Sequence, residues 1–477
     1  MILLFGCENV EYISESSKEE ETSINSLEQI VSELPTLSIT PENSETEEEN
    51  EIVERTFKIV TNKASTFYPD ETTSSGAIGH AVQERNSILL EKYGADISVQ
   101  EVYGKELCEE LENSYKAGLE YCDMISVSAE DSVKLFKMGL LYDMNTLPNF
   151  DLESGFFDER NSKTLATNSS LYLLADPTNL FYEDTYVLFY NRTLTSDGGF
   201  EDIENMVLKG EWTWDKFNEI ARASSTAYNK SSANVNSDIF GFSAYHNETT
   251  YPIVMFASTG KVMVDNTYKN PVELSLDVLD VENTCIELNK TYNVRGKLPY
   301  EGNEAEEVFR NGRTVFFCNT LDYIYALRDG SDKGKEFGFL PIPKYSQDQS
   351  GYTCLVDTDA RVISVPKTVE FADNSTKEYI SAIITATCAV GGHTSKDAFL
   401  ESLIAGYLNS NTETVVLETI CDSAKFDFAY IYGSGIPDIA HSTINAVSDY
   451  LDFGSMVSST IRQGRNRFNT YSSKNFS

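Results

Sequence analysis

Cations are scarce in this chain. Against 75 Asp and Glu it carries 37 Lys and Arg, a formal charge of −38, which argues against nucleic acid and anionic membrane surfaces as partners. Histidines number four and lie apart, and the eight cysteines (Cys7, Cys108, Cys122, Cys285, Cys318, Cys354, Cys388 and Cys421) contain no C-x-x-C pair, so no zinc site is expected. Setting Cys7 aside leaves an odd count, and buried thiols are the expected state of the rest. No G-x-S-x-G, H-E-x-x-H, P-loop or G-x-G-x-x-G occurs, so ester hydrolysis, metalloproteolysis and nucleotide use have no sequence signal, and no cofactor is called for. No run of 18 apolar residues is present to span a bilayer. Only two tryptophans occur, Trp212 and Trp214, both at the start of one expected helix, which suits packing.

What is present is enough apolar material for real cores. At 477 residues, 41% hydrophobic and 12% aromatic, the chain is long enough for two or three domains. The acid excess is partly local. Tyr12 to Glu54 contains SESSKEEE and ENSETEEENE and almost no aromatics, so it is expected to be disordered and extended by its own charge, with a transient helix near Ile24–Leu34. Ahead of it, Leu4-Phe5-Gly6-Cys7 resembles a bacterial lipobox, with Cys7 the residue to be lipidated. Six residues before a Cys are fewer than a signal peptide needs, so the natural start is expected upstream.

The stretch that organises the rest is Leu171 to Leu194. An apolar run, Leu171–Ala175, reads as a first strand and breaks at Asp176-Pro177; Tyr186–Tyr190 then reads as a buried strand that stops at Asn191. Between them aromatics and carboxylates crowd together, with Tyr182, Glu183 and Asp184 at what reads as a crossing between two lobes. Before it, strands at Arg55–Val60, Ile97–Val99 and Asp123–Ser128 alternate with helices at Ala77–Tyr93, Glu106–Gly118 and Asp131–Met138, a pattern of right-handed crossovers in a mostly parallel sheet. After it, Thr213 is placed to cap a helix from Trp214 to Ser224. Asp238–Phe242 and Gly312–Phe317 read as strands, and helices are expected over Lys377–Cys388 and over Ser442–Thr470. The Tyr245-His246 region is expected to face a cleft, with His246 a surface or hydrogen-bonded residue, and Asn229–Ser237 lacks the acids of a calcium loop.

A strand ending Tyr190-Asn191-Arg192, about twenty residues, then Gly210-Glu211-Trp212-Thr213-Trp214-Asp215-Lys216-Phe217 resembles the family 1 extracellular solute-binding proteins of ABC sugar importers, maltodextrin-binding-like and of clostridial type. Gly312-Arg313-Thr314-Val315-Phe316-Phe317 followed by Phe337-Gly338-Phe339-Leu340-Pro341-Ile342-Pro343 is the most specific part of the likeness; Asp238–Phe242 and Asp123–Leu141 add to it. The resemblance implies an α/β fold of periplasmic-binding-protein type II, two lobes joined by hinge crossings near Thr185–Tyr190 and Phe337–Pro343. It places sugar contacts at Ser126, Ser128 and Glu130, after a strand of the first lobe, a position that open α/β sheets favour on general grounds. Where maltodextrin-binding relatives stack a Trp, this chain offers Asn319, Asp322 and Tyr323. Tyr245, and Tyr430 with Tyr432 in a Tyr-rich loop, complete the expected ligand set with Tyr182, Glu183 and Asp184.

The expectation is therefore a monomeric, lipid-anchored extracellular protein that captures a sugar, in the first place an oligosaccharide, for an ABC permease. Residues 1–7 would be a remnant signal and 8–55 a tether, 56–185 with 345–410 the first lobe, and 186–344 with 411–477 the second. The anchor would be its sole membrane contact, and it would not be an enzyme. A surface glycoside hydrolase pairing Glu183 with Asp184, Glu130 or Asp322, and a sensory or adhesion lipoprotein without a permease, are the alternatives.

Overall fold

The computed structural model describes residues 27–37, 54–69, 76–102, 104–167, 169–228, 230, 233–245, 250–262, 302–328 and 336–432. Cys7, most of the acidic stretch, His246 and the helix expected over Ser442–Thr470 lie outside them.

Eleven strands are described: β1 (Arg55–Thr61), β2 (Ala95–Glu101), β3 (Met124–Ser128), β4 (Leu141–Tyr142), β5 (Tyr186–Asn191), β6 (Phe240–Ala244), β7 (Thr314–Thr320), β8 (Phe337–Pro341), β9 (Cys354–Leu355), β10 (Arg361–Pro366) and β11 (Ala424–Lys425). They form a five-stranded sheet in the order β2-β1-β3-β10-β4, a four-stranded sheet in the order β6-β7-β5-β8, and a β9–β11 pair. In the first sheet β1 runs parallel to β2 and β3, while β10 is antiparallel to β3 and β4. The chain therefore builds most of one sheet, crosses to build the other, and returns to insert β10 beside β3. That is the expected two-lobed α/β architecture of periplasmic-binding-protein type II.

Strands buried on both faces should be apolar throughout rather than alternating. MISVS in β3, YVLFYN in β5 and RVISVP in β10 are buried at every position. Their pleat sorts side chains between two cores. Met124 and Ile363 join Leu89, Ile380 and Ile384 on one face of the first sheet, whereas Ile125, Val127 and Val362 join Leu107, Leu111 and Leu135 on the other. The helix Ala77–Tyr93 ends at Gly94, whose φ of 67° lets its N–H return to Leu89 and Leu90 carbonyls. Thr213 accepts from Lys216 N at 3.4 Å and caps Trp214–Ala223 as expected. Both tryptophans are packed: Trp212 Nε1 donates to Pro341 O at 2.8 Å and Trp214 Nε1 to Ser258 Oγ at 3.0 Å.

Four local expectations change. Leu171–Ala175 does not form a strand; it is irregular peptide, buried except at Tyr172, where it bends, with a single bridge from Leu174 to Ile363. Phe337–Pro341 is no crossing: it is β8, an edge strand paired antiparallel with β5 from Val187 to Asn191. The return instead passes where Thr185 bridges Val356. The helix expected over Lys377–Cys388 runs from Asn374 to Gly406, 33 residues, passing through Gly391, which lies against the side chain of Thr178 and leaves room for it. Finally, within the acidic stretch Leu27–Glu33 is a docked helix, not a transient one, with Ile30 and Leu34 buried and Tyr93 Oη donating to Pro35 O at 2.7 Å. Among the described residues six cysteines are free thiols, five of them buried.

Candidate functional site

Three pieces of chain meet where the two sheets join. Asp357 N donates to Asp184 O at 2.8 Å, Val356 N to Lys425 O at 3.0 Å, and Leu321 N to Thr185 O at 2.9 Å. The outgoing segment 183–185 is thus clamped between the end of β7 and the returning chain, with 424–426 alongside. Further along, Tyr432 Oη donates to Leu165 O at 2.9 Å and Arg160 Nη2 to Ala424 O at 2.8 Å, so this last segment also packs on the helix Glu159–Leu165.

At the junction Glu183 is held from both sheets. Lys63, two residues beyond β1, pairs with its Oε2 at 3.1 Å, and Tyr325, on the short helix Tyr323–Leu327 after β7, donates to its Oε1 at 3.1 Å. The Glu183 side chain is 14% exposed and Lys63 44%, so the cluster opens to solvent on the Lys63 side. Asp322 N also donates to Glu183 O at 2.9 Å, and Asp322 Oδ1 accepts from Thr320 Oγ1 at 2.6 Å. Beside it, burial pushes the Asp184 carboxyl up to about 7; Arg361 pulls the other way, and the charges of Glu183, Asp322 and Asp357 add to the rise. Asp322 is likewise raised, by burial first and by Glu183. A crossing with several carboxylate oxygens, a phenol and one ammonium can bond the hydroxyls of a polar, uncharged solute.

Behind this surface, Tyr186 and Tyr430 both donate to Asp357 Oδ2, Tyr430 at 3.0 Å, and the two phenols lie 3.3 Å apart. The triad ties β5, the returning chain and the 428–431 turn together.

The expected ligand set divides. Glu183, Asp184 and Asp322 come together at the junction, and Tyr430 reaches it through Asp357. Ser126 is fully buried and donates to Asn179 Oδ1 at 2.8 Å; Ser128 caps the helix Ala129–Lys137 by accepting from Asp131 N at 3.2 Å. Glu130 pairs with Lys134 at 3.0 Å within that helix. Tyr182 is buried against Phe399, and Tyr432 against Phe428, their ring planes 26° and 24° apart. Tyr323 is wedged edge-on to Phe189 and Phe317. Asn319 is buried and accepts from Thr320 N at 2.9 Å, while Tyr245 is half-buried and reaches Asn303 at 3.4 Å. Sequence reading passed over Lys63 and Tyr325. The signal for Lys63 was its place just past a strand of the first sheet; Tyr325 gave none, since it sits on a helical turn that was not foreseen.

No family model matches the chain, and no curated protein matches its sequence. Solved structures do match in fold. A cyclic alpha-maltosyl-1,6-maltose binding protein from Arthrobacter globiformis is similar at 12% identity with a TM-score of 0.58, over 87% of this chain and 100% of its own. A cyclo/maltodextrin-binding protein solved with maltotetraose gives 14% identity and a TM-score of 0.55 over 88% and 99%. A family 1 extracellular solute-binding protein from Bifidobacterium longum subsp. infantis gives 12% and 0.54 over 88% and 100%. At such identities the likeness is one of fold: this chain has the two-lobed fold of the family 1 solute-binding proteins.

Proposed function

We propose that the chain is an extracellular solute-binding protein that takes a carbohydrate, in the first place an oligosaccharide, between its two sheets and delivers it to an ABC permease. The observation that carries the reading is Glu183, a carboxylate on the crossing segment gripped by Lys63 from one sheet and Tyr325 from the other, in a chain whose fold is that of sugar-binding proteins. A sugar hydroxyl that replaces Lys63 or Tyr325 on Glu183 would couple occupancy to the distance between the sheets, and ligand favours whichever lobe arrangement binds it better. Each net hydrogen bond is worth about 0.5–1.5 kcal/mol, so micromolar binding needs several of them together with ring stacking.

In this reading the first lobe comprises 56–185 with 345–410 and the second 186–344 with 411–477, the contacts of Ala424–Tyr432 with the first lobe forming part of the hinge. Cys7 is the lipid anchor, the acidic stretch around the docked helix is the tether, and the protein acts as a monomer on the outer face of the membrane.

The test is a thermal-shift screen of the full chain against mono- and oligosaccharides, peptides and polyamines. Ligand at a hundredfold excess over Kd adds about 2.7 kcal/mol of stability, so a glycan hit is plain, and silence across all glycans would overturn the reading. One observation favours a second reading: a carboxyl raised to about 7 at Asp184 beside Glu183 is what a glycosidase asks of its acid. Release of reducing sugar that Glu183→Gln abolishes would establish hydrolysis; binding without release leaves capture as the function.

A further inference from the structure

One helix carries the chain from the first lobe to the second. Asn374–Gly406 has 33 residues, about 50 Å of continuous helix. Its first half is built into the first lobe: Ile380, Ile383 and Ile384 share a core with Phe57 and Met124, and Tyr379 Oη donates to Arg55 O at 3.3 Å. Its far end belongs to the junction and the second lobe. Phe399 stacks on Tyr182, and Lys396 pairs with Asp422 at 2.5 Å. Tyr407, which ends the helix, lies edge-on to Tyr325, and its carbonyl accepts from Arg328. Any change of angle between the lobes must therefore bend this helix or pull one end loose.

The weakest stretch of the helix is its middle. Gly391 and Gly392 adjoin there, and glycine is the poorest helix former after proline. Gly391 makes room for Thr178, but a Cβ at Gly392 would meet no atom of the described residues within 4 Å, so packing does not require glycine at that position. Two residues on, Thr394 Oγ1 donates back to Val390 O at 2.9 Å, a bond that weakens and bends helices.

The N-terminal helix Leu27–Glu33 lies across this stretch. Leu27 walls a cavity of about 440 Å³ together with Thr394 and Ala398 of the long helix and Ala81 of the helix Ala77–Tyr93. Ile30 and Glu33 wall a second cavity, of about 1060 Å³, with Ala389 and Gly392, and Ile30 is buried in one core with Ala389 and Val390. The short helix thus faces the long one on both sides of the glycine pair. It is fastened in turn to the end of Ala77–Tyr93, where Lys92 Nζ donates to Val31 O at 2.5 Å and Tyr93 Oη to Pro35 O at 2.7 Å. Seven residues are too few to hold a helix unsupported in water, so this segment is helical when docked and unfolded when released.

We infer that the N-terminal helix is a splint on the long helix. Docked, it ties the long helix to Ala77–Tyr93 across Gly391 and Gly392 and holds the lobe arrangement of this structure. Released, it lets the long helix bend there and the lobes take other angles. The inference rests on the moving lobes of the proposed solute-binding cycle, but not on what the solute is.

The experiment is pulsed electron paramagnetic resonance on the full chain without glycan. Nitroxides are carried by a keto amino acid at Asn113 and Glu219, exposed residues of the first and second lobes. Wild type is compared with Ile30→Ser/Leu34→Ser, and hydrogen exchange over residues 27–34 verifies release. Release should broaden the inter-lobe distance distribution at least about twofold. Adding Gly392→Ala, which strengthens the helix and meets no described atom, should return it towards the wild-type width. A segment that merely packs on the first lobe would leave the distances unmoved. Equal distributions with release verified would therefore overturn the inference, as would broadening that Gly392→Ala leaves in place. Free exchange of residues 27–34 in wild type would overturn it too. Circular dichroism accompanies each protein, and if the double variant does not fold, Leu34→Ser alone replaces it. No glycan enters the measurement, so a failed glycan screen leaves its outcome standing.

Discussion

Replacing Glu413 by glutamine removes one charge from the most deeply buried ion cluster of the described residues. Glu413, on the helix Asn411–Ser423, is 1% exposed and meets Arg328, 7% exposed, through two bonds: Nη1 to Oε2 at 2.9 Å and Nη2 to Oε1 at 2.8 Å. Arg192 pairs with the same carboxylate and with Glu204 at 2.6 Å, and Asn409 N donates to it at 2.8 Å. Through this cluster the chain, arriving along the long helix, is fastened to the second sheet. Burial alone would raise the Glu413 carboxyl, but the Arg328 hydrogen bonds and charge outweigh it and hold it below the usual range. Breaking a buried pair by removing one partner costs about 3–5 kcal/mol; glutamine keeps the shape and one acceptor, so about 3 kcal/mol is expected. In a unit of 150–250 residues each kcal/mol moves Tm by roughly 2–4 °C, which gives a fall of about 6–12 °C. The pH dependence has a definite sign. A carboxyl whose folded pKa lies below its unfolded value stabilises fully above the unfolded value, about 4.3, and loses this as pH falls through the folded one. The variant should therefore lie well below wild type at pH 7 and converge on it in acid. Calorimetric melting across pH 3 to 7 checks this. A Tm within 2 °C of wild type at pH 7, or a gap that does not narrow in acid, would refute the reasoning.

Other predictions concern separate parts of the fold. A Cβ at Gly391 would lie 2.1 Å from Thr178 Oγ1 and 3.0 Å from its Cβ, so Gly391→Ala should destabilise by about 1–3 kcal/mol and Gly391→Ala with Thr178→Ala should recover part of it, read by urea melting. Asp184 titrates near 7 folded against about 3.9 unfolded, so the folded state holds a proton the unfolded chain has lost between those values, and stability from this group falls as pH rises through the window. Asp184→Asn should accordingly be more stable relative to wild type at pH 8 than at pH 4, by thermal melting. Leu34→Ser should release the docked N-terminal helix, giving faster protease cleavage near residues 27–37 while the main melting transition holds.

Much of the fold was legible because its signals are local. The buried strands announce themselves as β-branched and aromatic runs, Thr213 and Gly94 punctuate their helices, and alternating strands and helices imply the crossovers. The misses came where tertiary context decides. Leu171–Ala175 has a strand's composition, yet only Leu174 finds a partner across from it, at Ile363. Phe337–Pro341 reads equally as a crossing or as an edge strand, and β5 claimed it. Leu27–Leu37 is embedded in an acidic, disorder-prone stretch, but Ile30 and Leu34 meet the helices of the first lobe. For the site, sequence offers residue type and not direction. Tyr182 and Tyr432 have the same chemistry as Tyr325, yet the first two are sealed in cores and the third bonds Glu183.

The central claim is that a glycan binds at the junction of the sheets through Glu183, and titration calorimetry of wild type and Glu183→Gln tests it most directly. The account predicts that the glycan found by screening binds wild type with micromolar Kd and the variant at least tenfold more weakly, with both proteins folded. Equal affinity for the two proteins, or no glycan binding by wild type, would contradict it.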